Sequence, residues 1–538
     1  MYYTQGLRVS LGILVCYNTC MNYETSTEHV QSYSTDSSIF KLTPKVIFTP
    51  KNIQGIQEAV RLATKEGRVI SVQAGATCMA GGSLNNDIML DLKPYVNAIK
   101  VFPYSKSAIV EMGAYYRDLE SAVLPHNLMF APYTSSKQTC GVGGMIGNNA
   151  SGEKSIRYGA TIDNVQAVSV VLHDGEVYEF EEISEEACLE LSKQTTTLGY
   201  IYKTIRYLYE TYGAEYLAQV GDVKKSSSGY RLERVYNTAT KTWNLSKLFV
   251  GSQGTLGIIT SARLKLVPTP LYTRTIIVPI DDLATLPVIL RTIMKYNPEG
   301  VETFDVNTWF YGKQFLPEDT LRVSDYFAHG EKLVVFVEFS ESTQEATDTM
   351  AQDCVQDLAH ISPRITYTVD PALIQSMWAI RRSSFSILRD ATYDDPHKKA
   401  VPCMEDVIVP VSRFDVFIPK LIDILTKNNV EFGFHGHIGD GALRIIPIID
   451  FTDPVVAIVK IEKICKETFA LIKELRGNMS ADHGDGIIRT PFLRDFYGGD
   501  LFEHVILAIK KLFDPNEIFN SGKKDTIRVE DWVNVLRW

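Results

Sequence analysis

Two stretches of this chain are nearly stripped of side chains, and the first follows strand-like text directly. Residues 73–83 read QAGATCMAGGS, with three glycines, three alanines and two hydroxyls, and residues 139–152 read TCGVGGMIGNNASG. Backbone N–H groups approach an anion closely only where no Cβ stands in the way. A chain with two such turns is therefore suited to folding them around a ligand that binds main chain, and a linked diphosphate meets that description. One turn of this kind alone reads equally well as a tight surface turn; the pair carries the argument. A Rossmann dinucleotide turn fails on spacing. Gly141, Gly143 and Gly147 leave one residue too many for G-x-G-x-x-G, and the preceding TSSKQT is a poor strand.

The surrounding pattern is α+β. KVIFTP, the helical IQGIQEAVRLATKEG with apolar residues at 53, 56, 60 and 63, and RVISVQAG form a βαβ start. IMLDL, the alternating SAIVEMGAY and a hairpin across Asp174-Gly175 follow. Residues 182 to about 245 read as a charged, Tyr-rich insertion with two helices, a lobe added to the first domain. LSKLFVGSQGTLGIITSARLKLVP then reads as a strand, a Gly-rich turn and a closing strand pair. Pro268 and Pro270 punctuate the chain, and the pattern restarts as strands alternating with helices, an antiparallel α+β plan. A length of 538 residues suits two or three domains. The expected division is a lead over 1–30, disordered or a start-site artefact, a first domain over 31–270 and a second over 271–538.

Charge and cysteine usage narrow the partners. Fifty-four basic residues against 64 acidic ones give a net charge of -10, with no basic stripe, which argues against nucleic acid. Eight scattered cysteines without a CxxC pair encode neither a zinc ribbon nor an iron–sulfur domain and fit a reducing compartment. The apolar run Leu11 to Cys16 is far short of the roughly 20 residues that span a bilayer, so no transmembrane segment or secretion signal is read. The expected location is the cytoplasm, either free or at the membrane surface.

The text PKVIFTP, QAGATCMAGGS, GVGGMIGNNASGEKSIRYG, VVLHDGEV and VGSQGTLGIIT resembles the FAD-binding domain of the vanillyl-alcohol oxidase (PCMH) type. MWAIRR, EDVIVP, GHIGDGALR, ADHGDG and LFDPNEIFNSGKK resemble the C-terminal domain of FAD-linked oxidases, the family of D-lactate dehydrogenase and the glycolate oxidase flavin subunit. The resemblance implies a two-subdomain FAD-binding domain followed by an α+β substrate (cap) domain with an antiparallel sheet. It also implies that FAD lies between the two loops. In the first loop its contacts would be Ala74, Gly75, Ala76, Thr77, Cys78, Gly81, Gly82 and Ser83. Around the second they would be Ser135, Thr139, Gly143, Gly144, Asn148, Asn149, Ser151 and Gly152, with Gly257, Ile259 and Asn520 beyond. Covalent relatives carry a histidine in the first loop; residues 73–83 hold none, so attachment is expected to be non-covalent. Cys78 and Cys140 read as small buried side chains.

Removing hydride from an α-carbon calls for a carboxylate clamp, a base for the hydroxyl proton and an aligned acceptor. Arg381 occupies the position of the family's substrate-binding arginine, although adjacent Arg382 leaves open which of the two points inward. His437 and His483 lie in Gly-rich segments, and by resemblance His483 is the base. Relatives often bind a divalent metal, Zn²⁺ or Mn²⁺, through GHxGDGNxH and the Glu of EHG. Here Ala442, Arg444 and Asp482 replace the Asn, the second His and the Glu. His437 and Asp482, with His435, remain as ligand candidates, whereas Arg444 cannot ligate a cation and instead brings a fixed positive charge near the reacting oxygen. Glu405, Asp406 and Asp440 could orient these groups, and Gln253 stands where Glu is common in GSEGT.

The leading expectation is FAD-dependent oxidation of a small 2-hydroxy acid, of D-lactate or glycolate size, to the 2-oxo acid. A quinone, a cytochrome or a separate electron-transfer protein would reoxidise the flavin. Two alternatives stay open: a flavin-dependent alkyl-dihydroxyacetone-phosphate synthase, and a degenerate flavoprotein that keeps FAD without catalysis.

Overall fold

The computed structural model describes residues 20–537. Near the N-terminus the helix Ile53–Glu66 buries Ile56, Ala59, Val60 and Ala63 along one face. The Asn52 side chain accepts from Gly55 N at 3.1 Å, and Gly67, at φ 62°, ends the helix in the left-handed conformation. A cap of this kind contributes about 1 kcal/mol. The helix packs on a four-stranded sheet in the spatial order Met21–Glu24, Val46–Pro50, Ile88–Leu90 and Ile70–Val72. IMLDL therefore inserts between the two strands of the βαβ start, parallel to both. Met21–Glu24 and the start of the helix Thr27–Ser32 fall inside the stretch 1–30 read as a disordered lead or a start-site artefact. An edge strand pairs through its backbone and needs no hydrophobic period to do so. Residues 1–19, including Leu11 to Cys16, lie outside the described residues.

A seven-stranded antiparallel sheet follows, with Val165–Val171 and Ile258–Lys265 near its centre. Two local readings change. Residues 142–148 of the second small-residue stretch form a short helix, Val142–Asn148, begun by Gly141 and ended by left-handed Asn149. Residues 246–249, read as a strand, form the helix Ser246–Phe249, whose Leu248 and Phe249 are buried. Four apolar-rich residues cannot distinguish the two states by periodicity.

From Tyr272 onward an eight-stranded antiparallel sheet is built. Its strand Leu333–Glu341 is sandwiched between Tyr272–Ile280 and Gly300–Asp305. Side chains alternate along it: Val334 and Phe336 join a cluster with Met377, Trp378 and Ile380 of the helix Pro371–Ala391, while Val335 and Val337 join the main core on the other face. That alternation positions the site. Glu302 shares the face of Phe304, the cross-strand pairs Phe304↔His435 and His435↔Arg444 carry the same face across two more strands, and Arg381 projects from the helix above.

The last part of the chain turns back. Asn520 N donates to Ile70 O at 2.9 Å, Phe519 bridges Ile70, and Trp532 packs edge-on against Phe40. Among the described residues, no helix is long and apolar enough to cross a membrane.

Candidate active site

A cavity of about 460 Å³ lies where the first two sheets meet the helix Pro371–Ala391. One wall comes from the two small-residue stretches, which touch backbone to backbone. A Cβ on Gly75 would drive into the Thr139 carbonyl, and one on Gly143 would come to 2.6 Å from the Met112 carbonyl. Every residue proposed for the first loop lines the cavity except Gly81; Ser135, Thr139, Gly143, Gly144, Asn148 and Ser151 line it too, as do Gly257 and Ile259.

Four expected contacts stand behind that wall. Gly81 takes a left-handed turn against Phe40 and Ile487. Asn149 is spent internally, accepting from Ile162 N and donating to Ser226 O, both at 2.9 Å. Gly152 lies against the Tyr133 carbonyl. Asn520 ties Gly82 O to Gln253 O with donor distances of 2.6 Å. These residues shape the cradle rather than line it. Gln253 lines the cavity and also braces it, with its Nε2 3.1 Å from Asn148 Oδ1 and its Oε1 accepting from Gly486 N at 2.8 Å. Burial pushes the Cys78 thiol up to about 11 and raises that of Cys140, so both behave as small neutral side chains. Glycine-lined backbone with hydroxyls at Thr77, Ser83, Ser135 and Thr139 fits a dinucleotide.

The opposite wall is charged. Arg381 Nε lies 2.8 Å from Glu302 Oε2 without hydrogen-bond alignment, and buried Arg381 Nη2 has no hydrogen-bond partner. Arg382 also reaches the cavity, yet Glu153 holds it at 2.6 and 3.1 Å and Trp378 lies beneath its guanidinium at 4.4 Å. Of the two, Arg381 is buried and Arg382 is exposed. Glu302 Oε1 approaches His437 Nδ1 at 2.6 Å. Burial, reinforced by Lys225, Arg381 and Arg444, holds His437 well below the ordinary histidine range, so its imidazole is neutral.

His483 is set by a carboxylate pair from the strand Met404–Ile408. Glu405 Oε1 lies 3.0 Å from its Nδ1, and Asp406 Oδ2 accepts from its backbone N at 2.8 Å. Fully buried Arg489 holds the other Glu405 oxygen at 2.7 Å. Burial would raise the Glu405 carboxyl, but Arg489 and His483 outweigh it and keep it below its usual value.

Asp406, Asp482 and His483 could each offer a ligand atom within 4.8 Å of one another. The Arg444 guanidinium already lies among them: Nη2 is 2.8 Å from Asp482 Oδ1 and 3.2 Å from His437 Nε2, and Nη1 is 3.0 Å from His483 Nε2. Metal contacts of about 2.0–2.2 Å are incompatible with a cation in that place, so the residues present do not fit the His437–Asp482 metal site.

Sequence reading missed Lys225, Glu302, Glu153 and Arg489. Lys225 comes from the stretch read as an added lobe and is buried, with Nζ 3.1 Å from Asp482 and 3.2 Å from Asp440. Its only signal was a lysine ahead of three serines and a glycine, KSSSG.

This fold and cradle define a flavin-binding α+β protein of the PCMH type. A solved structure of p-cresol methylhydroxylase with substrate bound matches with a TM-score of 0.65 over 95% of this chain and 94% of that one, at 15% identity, a likeness of fold. Residues 44–181 match the family model described as an FAD binding domain, and residues 269–524 match that of the FAD linked oxidases, C-terminal domain. The chain belongs to the FAD-linked oxidases, and its cofactor is FAD. Among curated relatives it is 27% identical to D-2-hydroxyglutarate dehydrogenase of Escherichia coli K12 over 93% of this chain, and spans 50% of that relative's length. It is 25% identical to D-lactate dehydrogenase of Anaerostipes hadrus over 90% of each chain.

Proposed function

We propose that the chain oxidises a small 2-hydroxy acid to the 2-oxo acid. The observation that carries this reading is the convergence of Arg381 and a carboxylate-oriented His483 on the cavity that the glycine wall lines. When bound, FAD supplies the two-electron acceptor for the α-hydrogen. Arg381, which lines the cavity, binds the substrate carboxylate through its guanidinium. Glu405 orients the His483 ring through Nδ1, and Nε2, which faces Arg444 Nη1 at 3.0 Å, takes the hydroxyl proton as the C–H bond breaks once substrate displaces that contact. Residues 31–270, with the returning C-terminal segment, hold the cofactor, and the third sheet with its helices closes the substrate side.

D-lactate, glycolate and D-2-hydroxyglutarate are all candidates, since relatives named for the first and last match this chain to similar extents. Electrons then pass to a separate acceptor. Anaerobic mixing of the purified holoprotein with a panel of D- and L-hydroxy acids tests the reading: at least one should bleach the flavin absorbance. A flavin that stays oxidised with every member defeats it and favours a synthase that uses flavin without net oxidation, or a non-catalytic flavoprotein.

A further inference from the structure

We infer that Lys225 and Arg444, bridged by the Asp482 carboxylate, form a permanent cationic array in the position of a divalent ion, so that this site binds its anionic ligand without metal. The inference rests on the hydroxy-acid reading for the ligand's identity, though not for its charge.

Of the candidate ligands among the described residues, His435 Nδ1 has no hydrogen-bond partner, but the others are engaged. Asp482 has each oxygen taken by a different cation, Oδ1 by Arg444 Nη2 at 2.8 Å and Oδ2 by Lys225 Nζ at 3.1 Å. His437 Nε2 and His483 Nε2 both face Arg444, and Asp406 Oδ1 lies 3.5 Å from its Nη1. A divalent ion would have to enter at contact distance from a guanidinium, where like charges repel strongly.

The array is also locked in its charged form. Burial would lower the Lys225 ammonium, but Asp440 and Asp482 hold it above its ordinary value. Burial would raise the Asp482 carboxyl, but Arg444 and Lys225 hold it well below its ordinary range. A guanidinium stays protonated in proteins. Lys225 positions Asp482, Asp482 positions Arg444, and Arg444 presents the charge on the cavity wall beside His483.

The probe is oxalate, titrated into oxidised holoprotein and followed by the flavin absorbance change, alongside metal content measured on the same samples. In the wild type, chelation with EDTA should leave oxalate affinity unchanged, and added Mn²⁺ or Zn²⁺ should not be retained. Arg444→Met should weaken oxalate by about 10- to 100-fold, the scale of a charged hydrogen bond. Arg444→His should take up one of these metals and regain affinity only with it. Lys225→Met should weaken oxalate as well, and Lys225→Arg should restore it.

A wild type that retains metal and loses oxalate affinity on chelation overturns the inference, as does an Arg444→Met protein with unchanged affinity. If Arg444→Met fails to hold flavin, the metal response of Arg444→His decides. Should every hydroxy acid leave the flavin oxidised while oxalate binding still depends on Arg444, the functional reading falls and the array stands.

Discussion

The wall formed by residues 74–83 and 139–151 is backbone, hydroxyl and amide, whereas the wall facing it is guanidinium, imidazole and carboxylate. The first is specified by what is missing: glycine lets the loops meet main chain to main chain. The second is specified by pairing, because buried charges persist only when partnered. Its members come from residues 225, 302, 381, 405, 437, 444 and 482–489, and each holds the next across a long stretch of chain. A steric wall should fail abruptly when filled, and a paired wall should lose function while the cofactor stays.

The sharpest break of that contrast is Gly75→Val. Its branched side chain would collide with the rigid Thr139 carbonyl, so the cost should exceed the usual 1–3 kcal/mol of overpacking, roughly speaking. The purified protein should carry no flavin; a full flavin-to-protein ratio would show that the loops do not rely on this contact. His483→Asn tests the other wall. It should keep its flavin and slow anaerobic flavin reduction by about 10²- to 10⁴-fold, with a near-normal rate ruling out a proton-accepting role.

A pH experiment measures the built-in cost of the charged wall. Burial pushes Glu302 up to about 8 despite Arg381, Lys225 and Arg444, with Glu153 adding to the rise. The folded state therefore binds a proton that the unfolded chain releases near its ordinary value of 4.5. Stability from this group is complete below that value and is lost as pH rises towards about 8. The slope in this window is at most about 1.4 kcal/mol per pH unit. Urea unfolding of Glu302→Gln should be flatter than wild type in the window; parallel curves would show that Glu302 is ionised throughout. The smallest effect expected is from Gly67→Ala. Its φ is +62° and a Cβ there meets nothing within 4 Å, so only left-handed strain of about 1 kcal/mol applies. A shift in thermal midpoint with flavin retained would bear this out.

Legibility followed the same division. Residues 73–83 and 139–152 together announced a cradle, because two such runs of small residues are hard to explain as separate surface turns, and the period of IQGIQEAVRLATKEG gave the helix Ile53–Glu66. Arg381, His437, Arg444 and His483 were legible through a family resemblance, and all four line one cavity. Lys225 was hidden because nothing local distinguishes a lysine that ends on two buried carboxylates from one in solvent. Glu302 was hidden in an apolar strand, and Asn149, Gly152 and Asn520 looked like ligand contacts because small and amide residues serve equally well in holding a loop from behind.

By itself, the amino-acid sequence determined the α+β alternation and the two side-chain-poor turns, since each is a property of residue type and spacing, and the resemblance to FAD-linked oxidases marked Arg444 as standing in place of a histidine. Only the tertiary structure decided where Arg444 puts its charge and what neutralises it. That outcome depends on strand register, which pairs His435 with Arg444, and on a distant loop that delivers Lys225 to Asp482. Electrostatic pairing acts through distance in space, and separation along the chain does not encode it.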